Sequence, residues 1–338
     1  MAFKKAICFG DIHWGSKNND TVFNQDCADF ITWIISEKER VGADTCIFLG
    51  DWHTNRHSIH VSTMNYSLDN MERLSKAFDK FYFILGNHDL YYREKRNLTS
   101  VAFGRNLDNL ILINEPQVID DVAFIPWLVG EEWKKMKDLK AKYIFGHFEL
   151  PGYMMNAMVE MPDHGTLNAS AFTTPEYVFS GHFHKRQAKD KVVYIGNPFP
   201  HNFADTWDDD RGYMLMEMGG EPSFHCWEDA PRYRTLKLSD LLESPEKYIN
   251  QKTYARVTVD IEINFEEAQF IKETFQSQFN ARRIDFIHQT KAEDDFVFSE
   301  ETTFQTVDQI VYSGINEVES PQIDKKLLLT IYEGLKSQ

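Results

Sequence analysis

Short apolar runs alternate with amphipathic stretches through the first two hundred residues. Residues 6–9, 45–49 and 81–85 are brief and almost wholly apolar, the pattern of strands buried on both faces. Between the first two, residues 22–41 carry Phe23, Cys27, Phe30, Ile31 and Ile34 at helical spacing. Between the second and third, residues 60–78 carry Met64, Leu68, Met71 and Leu74 on one stripe. Strand–helix–strand–helix–strand predicts an α/β fold, with a mainly parallel or mixed sheet flanked by helices. Further strands are expected at 110–113, 142–145, 177–179 and 192–195, and at 117–126, which Asp120-Asp121 interrupts as a turn signal. Residues 213–217 and 223–227, separated by a segment with Gly219-Gly220, read as a hairpin.

From 229 to 246 the texture turns polar and proline-containing, which places a boundary there. Beyond it, 254–263 alternates like a strand, 265–279 has helical spacing and 283–288 is a second strand candidate: a small α+β domain. An acidic stretch at 291–301 precedes two helical segments, 302–318 and 324–335, with Pro321 between them. The expected organisation is therefore a main domain over 1–230, a small domain over 250–290 and a helical segment over 302–338.

Composition narrows the class. The chain has 338 residues, 42% hydrophobic and 26% charged, as in ordinary globular proteins. No run reaches the ~18 apolar residues of a membrane helix. Met1 to Lys5 leads straight into a strand with no signal-peptide pattern, so no membrane association and a cytoplasmic location are expected (the host's cytoplasm, were the chain phage-encoded). Cys8, Cys27, Cys46 and Cys226 form no Cys-x-x-Cys spacing and read as packed, reduced thiols. The net charge of −16 disfavours unaided DNA binding, whose affinity comes largely from Lys and Arg. Bound metal ions would add positive charge that a residue count misses. Two basic clusters, Arg93-Lys95-Arg96 and Lys185-Arg186, follow two of the motifs below; a solvated face explains such clusters equally well.

The chemistry lies in five motifs, each directly after an apolar run: Gly10-Asp11-Ile12-His13, Gly50-Asp51-Trp52-His53, Gly86-Asn87-His88-Asp89, Gly146-His147 and Gly181-His182-Phe183-His184. The carboxyl ends of parallel strands share one edge, where ligands bind. Glycine lets each backbone turn there. Each motif alone is weak, since an Asp-x-His or Gly-His-x-His is often a turn or a surface pair. Their recurrence at strand ends is the signal. Asp, His and Asn donors without thiolate suit Mn²⁺, Fe²⁺ or Zn²⁺ better than Ca²⁺. Two such ions about 3.5–4 Å apart would clamp both oxygens of a phosphoryl transfer and activate a water. His57, His60, His164, His201, His225 and His288 lack this context and read as surface or core residues.

The ordered set resembles the signature of the calcineurin-like metallophosphoesterase superfamily. Tyr194-Ile195-Gly196-Asn197-Pro198, Phe203 and Arg211-Gly212-Tyr213 resemble the segment that follows these motifs in SbcD-type nucleases. Spacing and length are most similar to the phage members, small subunits of recombination endonucleases. The resemblance covers about residues 4–218 in motifs; beyond that it rests on the order of elements. It implies a metallophosphoesterase sandwich with a cap domain and C-terminal helices. Asp11, His13 and His184 would hold one ion and Asn87, His147 and His182 the other, with Asp51 bridging. The ions would be Mn²⁺, with Mg²⁺ or Fe²⁺ as alternatives. His88 would act as general acid or stabilise the leaving oxygen, with Asp89 either orienting it or starting a helix. Many members carry a histidine where this chain has Thr54, and His53 or His57 is expected to take over its supporting role.

The family also implies a DNA-end-processing complex in recombination and repair, with an SbcC-type coiled-coil ATPase, a homodimeric arrangement, and single- and double-stranded DNA ends as substrate. Leu327, Leu328, Ile331 and Leu335 fall on one helical stripe, a candidate docking face for the ATPase or simply core. Competing readings are a cyclic-nucleotide or nucleotide phosphatase using the same ions, and a scaffold without activity. The scaffold reading expects a damaged metal site, and no expected ligand is missing from this chain.

Overall fold

The computed structural model describes residues 1–155, 159–288, 315 and 325–329. Residues 1–289 form one unit and 290–338 another. Ile315 and residues 325–329 are helical; the rest of the two expected C-terminal helical segments lies outside the described residues. No described helix is long and apolar enough to cross a membrane.

The chain runs through β1 (Lys5–Phe9), β2 (Thr45–Phe48), β3 (Lys80–Ile84), a hairpin of β4 (Leu90–Tyr92) and β5 (Lys95–Thr99), and β6 (Leu110–Ile113). Next come β7 (Gln117–Ile119), β8 (Val122–Ile125), β9 (Tyr143–His147), β10 (Tyr177–Gly181), β11 (Gln187–Lys189), β12 (Val192–Tyr194), β13 (Gly212–Glu217) and β14 (Ser223–Cys226). They form two six-stranded mixed sheets, ordered β14-β13-β1-β2-β3-β6 and β11-β12-β10-β9-β8-β7. In the first, β1, β2, β3 and β6 are parallel. In the second, β8, β9, β10 and β12 are parallel, and the edge strands β7 and β11 run antiparallel to them.

The uninterrupted apolar runs follow from this layering, because both faces of each central strand are covered. Cys8, Ile47, Tyr82 and Ile84 meet Phe124, Tyr143, Phe145 and Phe179 of the other sheet in one core. Ile7, Phe9, Cys46, Phe48, Phe81 and Phe83 pack outward against Phe23, Phe30, Ile31 and Ile34 of helix Thr21–Val41. The expected stripe of the second helix, Val61–Ala77, is rotated. Its buried face is Thr63, Ser67, Asn70, Met71, Leu74 and Ser75, and Leu68 is exposed. The rotation puts Ser67 Oγ 2.7 Å from both Trp52 Nε1 and His53 Nε2, contacts that an apolar count cannot see.

The stretch at 229–246, expected as a polar boundary, is structured. Arg232–Lys237 forms β15, parallel to β16 (Thr253–Val259), itself parallel to β17 (Arg283–His288). Helices Leu238–Glu243, Pro245–Tyr248 and Phe265–Gln278 accompany this sheet. Tyr233, Leu236, Leu238 and Leu241 are buried, so their apolar spacing outweighed the polar neighbours. Three of the cysteines are buried as expected, but Cys226 is exposed; all four are free.

Charges tie the small sheet to the main body. The Arg282 guanidinium grips both carboxylate oxygens of Asp26 on helix Thr21–Val41, at 2.5 and 2.6 Å. The Lys17 ammonium lies over the rings of Phe23, Tyr233 and Tyr254 at 5.3, 5.0 and 4.5 Å. Asp26 is nearly solvent-free, with a side chain only 2% exposed, so removing its partner strands a buried charge. Arg282→Ala is expected to destabilise the protein by about 3–5 kcal/mol in chemical denaturation. An unchanged midpoint would contradict that role.

Candidate metal centre

The five motif loops leave the carboxyl ends of β1, β2, β3, β9 and β10. In the first sheet, Phe9, Phe48 and Phe83 sit side by side in register. In the second, Gly181 pairs with His147 and Gly146 with Ile125. Backbone bonds then lace the loops together: Asp11 N donates to Gly50 O at 2.8 Å, and Trp14 N to Trp52 O at 2.8 Å. The approach is too close for a side chain at the turns. A Cβ on Gly50 would lie 2.4 Å from His147 Nδ1, and one on Gly86 2.2 Å from Asp51 Oδ1. Asp11, His13, Asp51 and His182 all have positive φ, at 55°, 55°, 63° and 90°. Such left-handed backbone at non-glycine positions concentrates at functional sites.

Two donor groups result. Asp11, His13 and His184 offer ligand atoms within 4.8 Å of one another, and so do Asp51, His147 and His182. Nε2 of His13 and Nε2 of His184 face each other at 3.1 Å. The Asn87 Oδ1 lies 3.1 Å from His147 Nε2 and 3.0 Å from His182 Nδ1, which adds an amide oxygen to the second group. One atom, Asp51 Oδ2, is 3.7 Å from His13 Nε2 and 3.5 Å from His147 Nε2, and so faces both groups. His147 Nδ1 donates to Leu49 O at 2.6 Å, which turns Nε2 towards the second group, where it would ligate once its proton is displaced.

The electrostatics also fit cations. Burial and the neighbouring Asp51 charge push the Asp11 carboxyl up to about 8, against the opposing pull of His147. Burial and Asp51 push Asp89 up to about 7. Burial opposes protonation of His147, but Asp51 and Asp11 outweigh it and raise that imidazole to about 9. Burial drives His184 down to about 4. Crowded carboxylates beside imidazoles, with no Lys or Arg among them, are the donor set of a divalent-cation site.

The remaining candidates lie elsewhere in the network. His88 Nδ1 lies 2.7 Å from Thr54 O, its ring stands edge-on to His13 at 5.0 Å, and its N–H donates to Asp51 Oδ1 at 2.8 Å. Thr54 binds His13 O through Oγ1 at 2.8 Å. Asp89 makes no hydrogen bond to His88 among the described residues. It accepts the backbone N–H groups of Asp51, Trp52 and Gly86, each at 2.9 Å, and so clasps the second and third loops. His53 is not part of the donor set. It is buried, both nitrogens are taken by Ser67 and Ser100 at 2.7 and 3.0 Å, and burial lowers it to about 3. His57 is exposed against Tyr91.

Sequence reading set aside His201, which is 5% exposed and packs edge-on to His13 and His184 at 5.9 and 5.6 Å. It also missed Glu149, 3.4 Å from His182 Nε2, and Trp127, 5.2 Å from the His182 ring. His201 stands three residues after Pro198, so its place in the quoted segment was a signal. That segment holds His184: Asn197 N and Arg211 both donate to His184 O, and Arg211 pairs with Asp208 at 2.6 Å. The basic clusters are largely neutralised, with Arg96 on Glu132, Arg93 on Glu149 and Arg186 on Asp210.

Residues 4–186 match the sequence family of calcineurin-like phosphoesterases. Exonuclease subunit 1 of Enterobacteria phage T4 is 29% identical over 222 residues, 63% of this chain and 64% of that protein; the match thus spans less than two thirds of the relative. Among solved structures, a dimetal phosphatase from Danio rerio aligns with a TM-score of 0.41 at 11% identity, over 64% of this chain and 93% of that one. A nuclease from Pseudomonas putida, MPE, aligns with a TM-score of 0.26 at 18% identity, over 56% and 66%.

The shifted groups give the metal-free protein a defined pH response. Asp11, Asp89 and His147 all hold protons more tightly folded than unfolded, at about 8, 7 and 9. Their stabilising protonation is lost as pH rises through those values. The histidines lowered by burial take up protons only in the unfolded chain, at pH ~6.5, and that opposing effect is largely over by about pH 7.5. Chelator-treated protein is therefore expected to melt at progressively lower temperature from about pH 7.5 to 9, and Mn²⁺ to restore most at the alkaline end. A metal-free melting temperature that is flat or rises over this range would contradict the site's electrostatics.

Proposed function

Because this chain belongs to the calcineurin-like phosphoesterase family, we propose that it is a Mn²⁺-dependent DNA nuclease, hydrolysing phosphodiesters with two ions. On this reading it is the catalytic subunit of an end-processing complex with an SbcC-type ATPase. The observation that carries the reading is the pair of donor groups joined by Asp51 Oδ2, taken with similarity to a protein named as an exonuclease subunit. Asp11, His13 and His184 would hold the first ion, Asn87, His147 and His182 the second, with Asp51 facing both. Bound there, the ions supply Lewis acidity and activate water.

The chain's own residues do the rest. His88 carries its proton on Nδ1 towards Thr54 O, which leaves Nε2 to exchange a proton with the leaving oxygen. Asp89 fixes the backbone at Asp51 and Trp52 and at Gly86, the residue before Asn87. Arg211 and Asn197 fix His184. With a net charge of −16, the subunit leans on its partner for most DNA contacts. A homodimer would use an exposed face such as that of helix Val61–Ala77, where Val61 and Leu68 are uncovered. Docking of the ATPase falls to the C-terminal segment, and shaping of the DNA channel to the small sheet.

Purified protein with Mn²⁺ is expected to cleave linear single- or double-stranded DNA and to lose this with a chelator. His88→Ser is expected to lower kcat by about 10²–10⁴-fold while Mn²⁺ affinity, read by calorimetry, stays unchanged. Rapid hydrolysis of a mononucleotide or cyclic nucleotide, with DNA inert even beside the ATPase, would replace the nuclease by the phosphatase reading.

A further inference from the structure

Beside the metal ligand His184 lies a cavity of about 430 Å³. Its lining joins the segment after β12 to the loop that follows β10, and includes Lys185, Asn202 and Trp207. The volume lies within the range of small-molecule pockets, roughly 300–1,000 Å³. Its charged residues are mostly spent on one another: Arg211 on Asp205 and Asp208 at 3.6 and 2.6 Å, and Arg186 on Asp210 at 4.0 Å. Lys185 is exposed and has no ion-pair partner among the described residues. A cavity so balanced suits a neutral group, with one free cation at its rim for a phosphate.

Trp207 is the second observation. It is 48% exposed and has a φ of +63°, a left-handed conformation that a bulky side chain rarely adopts. The rest of the residue is held firmly. Its N–H bonds Tyr233 O and its indole Nε1 bonds Thr235 O, each at 3.2 Å. The Arg234 guanidinium lies 4.5 Å from the ring centroid and is fixed by Asp209 at 2.9 and 2.5 Å, and Tyr248 stands edge-on at 6.0 Å. A strained, clamped and half-open indole beside a metal ligand is a preorganised stacking surface.

We propose that this cavity receives the base of a nucleotide flanking the cleaved phosphate, stacked on Trp207, with Lys185 on a neighbouring phosphate. The proposal rests on the nuclease reading and sharpens it. A base can reach Trp207 only after leaving its own stack, so the substrate at the metal centre is a single-stranded or locally unpaired end.

The test compares a short single-stranded DNA with a fully abasic oligonucleotide of the same length, using the full chain with Mn²⁺. The wild type is expected to cleave the normal strand about 5- to 100-fold faster, the worth of one stacked base. Trp207→Ala is expected to bring both substrates to the wild type's abasic rate, and Trp207→Phe to keep most of the preference. Equal losses on both substrates in Trp207→Ala, or no preference in the wild type, would overturn the stacking site while leaving the nuclease reading intact. Hydrolysis of a small phosphoester with no cleavage of either oligonucleotide would overturn both.

Discussion

The centre is organised by the repulsion between buried carboxylates, which protons relieve in the metal-free protein and divalent cations would relieve in their place. Asp11, Asp51 and Asp89 are all solvent-free, and the charge on Asp51 raises the other two. A protein interior tolerates such a cluster when bound charge of the opposite sign completes it. Asp51 Oδ2 points between the two histidine groups, so the same oxygen that creates the repulsion also joins the two halves. The glycines at the turns and the left-handed residues in the loops serve this arrangement. They let loops from two different sheets approach to within one side chain of each other, and backbone strain there is offset by the packed core beneath.

The scaffold explains why the donors hold their geometry. The sheets meet through an aromatic layer in which Tyr82 stacks on Phe124 at 4.2 Å and Phe145 lies against Phe179 at 5.1 Å. The second group is fixed from behind by Leu49 O and by the Asp89 clasp. The first is fixed through His184, whose carbonyl is held by Asn197 and Arg211. That makes the segment after β12 part of the centre's support, and Trp207, in the same segment, lines a cavity with His184.

Much of this was legible in the sequence, for a physical reason. Central strands covered on both faces leave uninterrupted apolar runs, so residues 6–9, 45–49 and 81–85 announced both the strands and the points where Asp11, Asp51 and Asn87 leave them. The hairpin Leu90–Thr99 was not visible, because its strands are mostly exposed and carry no apolar signal. The stripe on helix Val61–Ala77 misled because Ser67 and Thr63, not Met64 and Leu68, fill the buried face. His53 and His57 were expected to stand in for the histidine replaced by Thr54; the His53 ring faces two serines, and His57 is exposed against Tyr91. Asp89 could orient His88 or start a helix; its carboxylate accepts the Gly86 N–H at the start of the short helix Asn87–Asp89, and those of Asp51 and Trp52. Contacts through main-chain groups leave no trace in residue identity. His201 and Trp207 were overlooked because their placement arises from the small sheet's return onto the main body.

The most direct measurement is anomalous diffraction at the manganese edge from crystals grown with Mn²⁺. Two peaks about 3.5–4 Å apart, one against Asp11, His13 and His184, the other against Asn87, His147 and His182, with Asp51 between, is the result predicted here. A single peak, or peaks away from these residues, would contradict a two-ion centre.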